Sequence, residues 1–222
     1  MGLAKGLIET GQAKNVLLIT AETYSKFIGP GDLNVRTLFG DAAAATLVQA
    51  TSTETPDRGP SLGPFVYGTD GRGAENLIVA QGGMRQGGPA QNGTDSGNTQ
   101  NGSPGANLFM NGPEILSFSL RTVPKAVATL LAQCDKSIDD IQWFIFHQAN
   151  QFMLEHLRAK IKIPPEKSHI AMRHCGNTVS STIPIALKHA QLDDKLRPGD
   201  QVMLVGFGVG YSWAATLLRW AA

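Results

Sequence analysis

The chain has 222 residues, with 19 Lys and Arg against 18 Asp and Glu, a formal net charge of +1. That balance excludes a protein built mainly on a basic nucleic-acid-binding face. A composition 42% hydrophobic and 17% charged excludes a disordered chain. The two cysteines, Cys134 and Cys175, form no disulfide framework and fit a reducing cytoplasm, the expected location. The first residues, Met1 to Glu9, lack the basic and apolar blocks of a secretory signal. The uncharged run Val202 to Leu218 is shorter than the ~20 residues a membrane helix needs, and Gly206, Gly208 and Gly210 divide it into strand-length halves.

Taken in chain order, residues 2–10 read as a helix with Leu3, Leu7 and Ile8 on one face and Gly11 at its C′ position. Asn15 to Thr20 is a short apolar run, the pattern of a strand buried on both faces. Ala42 to Val48 is a second strand, whose small side chains suggest close backbone approach. From Thr51 to Asn107 the composition shifts, and 82–107 is a flexible Gly/Asn-rich loop. Pro113 suits the first turn of a helix running to about Gln133. Then come a strand from Ile141 to Phe146, a helix from Ala149 to Lys160 with Phe152, Met153 and Leu157 on one face, a short strand from Ser168 to Met172 and a helix from Val179 to Ala190. Val202–Val205 and Ser212–Leu218 form a final antiparallel pair. Strands alternating with helices give an α/β fold with mixed sheets.

Three segments could carry chemistry. Phe146-His147-Gln148-Ala149-Asn150 puts a histidine where a buried strand ends and a helix begins, the place where α/β proteins hold ligands. Capping the helix or a hydrogen bond within the core is the plainer role for that histidine. Gly176-Asn177-Thr178 presents an amide before a Ser/Thr-rich helix start, which also reads as an N-cap. Gly206-Phe207-Gly208-Val209-Gly210 can aim backbone N–H groups at a developing oxyanion, or simply form a tight hairpin. No glycine-rich stretch is followed by Lys-Ser/Thr, so phosphate binding is not supported. His147, His174 and Cys175 lack metal-ligand spacing.

Together these motifs resemble the thiolase superfamily and, more narrowly, the ketoacyl-ACP synthase III family. The resemblance rests on Leu38-Phe39-Gly40-Asp41, Met110-Asn111-Gly112-Pro113-Glu114, His147-Gln148-Ala149-Asn150, Gly176-Asn177-Thr178 with Pro184, and Phe207-Gly208-Val209-Gly210 before Ser212-Trp213. It implies a thiolase-like layered α/β fold, here with an incomplete N-terminal half in residues 1–55 and a complete C-terminal half in 56–222. It further implies decarboxylative Claisen condensation of an acyl thioester with malonyl-ACP. His147 and Asn177 would donate hydrogen bonds to the malonyl thioester carbonyl, and the backbone N–H of Val209 would hold the oxyanion of acyl transfer. Met110, Gly112 and Phe207 would line the acyl pocket, with Phe207 near the nucleophile. Arg158, Lys160 and Lys162, with Lys167 nearby, would dock the acyl carrier protein, although a solvated basic face is the plainer reading. No metal is implied, and no cofactor beyond the phosphopantetheine of ACP or CoA. The partners are the carrier protein and a second subunit, in a homodimer or in a heteromer that supplies the missing N-terminal part.

The chain departs from the family at several points. The nucleophilic Cys belongs several residues before Met1, so an N-terminally truncated enzyme is expected. Cys134 reads as a core residue. Cys175 has no helix N-terminus to lower its pKa and makes a poor replacement. The family's Gly-Asp-Gly-Ala-Gly-Ala reads Gly40-Asp41-Ala42-Ala43-Ala44-Ala45, its Asp-Arg reads Asp32-Leu33, and its oxyanion-turn glycine is Val209. The second change favours an acyl-ACP or other thioester donor over acyl-CoA. The alternatives are a non-catalytic or partner-dependent acyl-ACP-binding subunit, a stand-alone decarboxylase using His147 and Asn177, and a binding remnant without turnover.

Overall fold

The computed structural model describes residues 1–51, 62–80 and 107–220. Helix α1 (Gly2–Glu9) ends as expected, with Gly11 in the left-handed region at φ 73°. Strand β1 (Asn15–Glu22) leads through a short 3₁₀ turn, Tyr24–Phe27, to the single-turn helix α2 (Leu33–Arg36), which the Asp32 carboxylate caps. Strand β2 (Ala42–Gln49) returns antiparallel to β1, with Leu17 opposite Leu47 and Ile19 opposite Ala45.

Next among the described residues come β3 (Leu62–Thr69), a 3₁₀ segment Gly71–Asn76, β4 (Leu77–Ile78) and β5 (Phe109–Met110). Helix α3 (Gly112–Gln133) follows, capped by the Asn111 side chain, with Pro113 in its first turn. Strand β6 (Trp143–Phe146), helix α4 (Gln151–Ile161), a 3₁₀ turn Val179–Ser181, helix α5 (Thr182–Leu192), β7 (Gln201–Gly208) and β8 (Ser212–Arg219) complete the fold.

The principal sheet has the order β3-β8-β7-β6, with β6 and β7 parallel and the other pairs antiparallel. It is the mixed sheet expected. Strand β7 shows why its sequence is apolar throughout. Met203, Val205 and Phe207 pack with Val123, Val127 and Leu130 of α3 and Leu157 of α4. The alternate residues Val202 and Leu204 pack with Ala186 and Ala190 of α5. A strand covered on both faces loses the polar alternation of a half-exposed one.

By length and composition α3 is apolar enough to cross a membrane. Its Phe118, Val123, Val127 and Leu130 instead fill the core against the sheet and α4.

Several sequence expectations change here. Strand β1 is not covered on both faces: Leu17 and Ile19 are 59% and 65% exposed, because β1 and β2 form a two-stranded sheet with one uncovered face. Ser168–Met172 is not a strand; it makes one isolated bridge, Phe144 with Ser168. On α4 the buried residues are Met153, Leu154 and Leu157, while Phe152 is exposed against His156. Strands β3, β4 and β5 were not anticipated. The β3 run is broken by Gly63, Pro64 and Gly68, β4 and β5 are two residues each, and β3 owes its place to antiparallel pairing with β8. The loop expected at 82–107 lies, except for Asn107, outside the described residues.

Candidate active site

A cavity of about 850 Å³ opens at the C-terminal ends of the parallel strands β6 and β7. It brings together His147, Asn177, Phe207, Val209, Met110 and Gly112, all named from sequence. Its lining contains no Asp, Glu, Lys or Arg among the described residues.

Three residues of the His-Gln-Ala-Asn motif have separate tasks. Asn150 is the N-cap of α4, its Oδ1 accepting from Met153 N–H at 2.8 Å. Gln148 is 2% exposed; its Nε2 donates to the Phe146 carbonyl and its Oε1 accepts from Ala171 N–H. These two bonds clamp the segment after β6 to the chain at 171. His147 is therefore neither the cap nor the clamp, and its ring is the group left for chemistry.

The His147 backbone N–H donates to Val205 O at 2.8 Å, which anchors the residue to β7. Its Nδ1 lies 2.7 Å from Thr182 Oγ1, and its ring meets Phe207 edge-on at 5.4 Å between centroids. Burial pushes its pKa down to about 4, opposed by a hydrogen bond with the Val179 backbone. The imidazole is thus neutral at pH 7.

Asn177 is 8% exposed and its backbone is held from the N-terminal part of the chain. Asn177 N–H donates to Leu38 O at 2.8 Å, and Gly40 N–H donates to Asn177 O at 3.0 Å. Glycine is required at 40, because a Cβ there would stand 2.0 Å from the Cys175 carbonyl oxygen. The Asn177 Oδ1 accepts from Val179 N–H at 2.9 Å, leaving the amide NH₂ as its donor. Asn177 therefore does not cap the helix through its side chain, which makes a local turn instead.

Val209 is at the tip of the β7–β8 hairpin, and its carbonyl accepts from Ser212 Oγ at 3.2 Å. The glycines around it do form the tight hairpin, with Gly210 at φ 140°.

Neither cysteine lines the cavity. Cys134 caps the C-terminus of α3, and desolvation raises the pKa of both thiols. Among the described residues no group of three His, Cys, Asp or Glu side chains could hold a metal.

The basic residues divide. Arg158 donates to Ile163 O at 3.0 Å and Lys167 to the carbonyls of Ile138 and Asp139, so both brace the chain around α4. Lys160 and Lys162 are exposed.

Sequence reading missed Tyr24, Thr182 and Trp213 as lining residues. Thr182 lies in the Ser/Thr-rich helix start that follows Gly176-Asn177-Thr178. The signal for its role is spatial, since it lies 35 residues from His147.

Comparison with known proteins identifies a family. Residues 1–71 match the family model of 3-oxoacyl-[acyl-carrier-protein (ACP)] synthase III, and residues 131–220 match that of the synthase III C terminal. The chain is 34% identical to beta-ketoacyl-[acyl-carrier-protein] synthase III 3 of Streptomyces coelicolor, across 100% of this chain and 63% of that protein. A crystal structure of a 3-oxoacyl-(acyl-carrier-protein) synthase III superposes with TM-score 0.87 and 49% identity, covering 99% of this chain and 64% of the other. A synthase III from Thermus thermophilus superposes with TM-score 0.83 and 32% identity, covering 99% of this chain and 63% of the other. The chain thus spans less than two thirds of the length of these relatives. Motifs, fold and comparisons converge: the chain has the thiolase-like layered α/β fold and belongs to the 3-oxoacyl-ACP synthase III family of acyltransferases.

Proposed function

We propose that this chain carries the malonyl-decarboxylating machinery of a β-ketoacyl-ACP synthase III reaction. The observation that supports this most directly is the meeting of His147, neutral at pH 7, and the Asn177 amide in one cavity lined, among the described residues, by no charged side chain. Two neutral N–H donors can stabilise an enolate oxygen, and a low-dielectric surrounding strengthens them. The bond between the malonyl α-carbon and its carboxylate breaks, CO₂ leaves, and the electron pair moves to the thioester enolate. The α-carbon then attacks an acyl thioester, and the thiolate departs as the new C–C bond forms.

In the same reading the Val209 N–H holds the oxyanion of acyl transfer. Met110, Gly112 and Phe207 form part of the acyl wall, and exposed Lys160 and Lys162 face an acidic carrier protein, with Arg158 bracing them. The arm that enters the cavity is the phosphopantetheine of ACP or CoA, with no further cofactor. Residues 1–55 and 56–222 act as two halves, in a homodimer or a heteromer in the cytoplasm. The separation of the β1–β2 sheet from the principal sheet supports that division.

Purified chain incubated with malonyl-ACP is expected to release CO₂. His147→Ala and Asn177→Ala each lower the rate by about 10²–10³-fold, or ~2.7–4 kcal/mol. No release above background, or equal release from His147→Ala, would reject the reading.

A second reading has its own support, because neither Cys134 nor Cys175 lines the cavity. In this reading the thiol for acyl transfer is supplied from outside these residues, and the chain acts as a partner-dependent acyl-ACP-binding subunit. Retention of acyl-ACP on the immobilised chain, with no transfer of the acyl group, would favour it.

A further inference from the structure

The Thr182 hydroxyl oxygen stands between the His147 Nδ1, whose role depends on the tautomer, and a carbonyl oxygen, which can only accept. It lies 2.7 Å from His147 Nδ1 and 2.9 Å from the Val179 carbonyl oxygen. The Val179 backbone also faces the His147 ring. A hydroxyl has one proton to donate. When it goes to Val179 O, Nδ1 must carry the imidazole proton and donate it to Oγ1. The neutral ring then presents a bare lone pair at Nε2. When the hydroxyl proton goes to Nδ1, Nε2 carries the proton and becomes a donor. Without the hydroxyl, a bare Nδ1 would face a carbonyl oxygen, two acceptors with no proton between them. The ring would then turn to the Nδ1–H form and donate to Val179 O.

Val179 also orients the other donor, because its N–H donates to Asn177 Oδ1 at 2.9 Å. It does both from the left-handed region, at φ 54°. This conformation is rare for a β-branched residue, and such outliers collect at functional sites.

We propose that Thr182 is a positioning residue that holds His147 in the Nε2–H form by donating its hydroxyl proton to Nδ1, and that left-handed Val179 couples this bridge to the Asn177 amide. Two neutral N–H donors then converge on one carbonyl oxygen. The proposal deepens, and rests on, the malonyl-thioester reading above. No Asp, Glu, Lys or Arg lines the cavity among the described residues, so no ionic partner competes with Thr182.

The test reads the tautomer directly and separately from turnover. In the ¹⁵N-labelled full chain near pH 7.5, the ring-nitrogen shifts of His147 are assigned against His147→Gln. The wild type and Thr182→Ser are expected to show protonated Nε2, and Thr182→Val protonated Nδ1. Release of CO₂ from malonyl-ACP should fall about 10²–10³-fold in Thr182→Val, the loss of one oxyanion donor. KM should change by no more than a few-fold, and Thr182→Ser should restore most of the rate. Protonated Nδ1 in the wild type overturns the proposal, and that result needs no variant to fold. The same tautomer in wild type and Thr182→Val also overturns it. A tautomer that switches in a chain releasing no CO₂ supports the role of Thr182 and rejects the malonyl reading.

Discussion

His147 and Asn177 act through what their other polar atoms are doing. Asn177 Oδ1 is occupied by Val179 N–H and His147 Nδ1 by Thr182, so the Asn177 NH₂ and the His147 Nε2 are the polar groups left for the cavity. Val179 holds both arrangements in a backbone conformation that costs a β-branched residue ~1–3 kcal/mol. Val179→Gly should therefore raise stability by up to about 1 kcal/mol, net of the greater freedom glycine gives the unfolded chain. Urea unfolding followed by circular dichroism measures this, and a loss of stability would show that the Val179 side chain contributes more than its backbone costs. The motif residues were legible in the sequence. Thr182 and Val179 were not singled out, because their roles depend on contacts across the fold and on a backbone angle.

The site is assembled from elements that are remote in sequence. Strand β6 delivers His147 and the β7–β8 hairpin delivers Val209. The Leu38–Gly40 segment grips Asn177 through two backbone hydrogen bonds. Strand β1 joins the same region, with Thr20 and Ser181 hydroxyls 3.0 Å apart and Ser180 donating to Glu22. Gly40→Ala should disturb this junction most, because the new methyl would meet the Cys175 carbonyl, which is backbone and cannot rotate away. A cost of ~1–3 kcal/mol is expected from such overpacking. CO₂ release from malonyl-ACP should fall with it, as Asn177 moves. Thermal unfolding and the decarboxylation rate check the two parts, and an unchanged rate would separate this junction from the site. The alanines at 42–45, where the family carries more glycine, alternate across β2 between a half-buried and an exposed face. Their methyls are tolerated, whereas one at position 40 is not.

At the scale of the whole molecule, two histidines tie stability to pH. Burial lowers the pKa of both His147 and His169 to about 4, and Lys195 near His169 adds to its shift. His169 is 4% exposed, with Lys195 Nζ 3.2 Å from its Nδ1. Between the unfolded value near 6.5 and the folded value, the unfolded chain binds protons that the folded chain does not. Stability therefore falls as the pH drops from about 6.5 toward 4. Urea midpoints across that range should decline, and His169→Gln should flatten the decline relative to its own value at pH 7.5. A midpoint independent of pH across the window would contradict the burial of both rings.

The α/β alternation, the long helix begun by Pro113, the final antiparallel pair and the positions of His147 and Asn177 are all legible in the amino-acid order. Those features follow from hydrophobic period, capping residues and short motifs, which act over a few neighbours. The folded chain was needed to see that β3 pairs with β8, that one face of β1 is uncovered, that Arg158 and Lys167 brace carbonyls, and that neither cysteine reaches the cavity. Strand pairing, burial and a shared hydroxyl proton are relations between distant residues. No local pattern encodes the distance from Thr182 to His147, on which the donor state of the site depends.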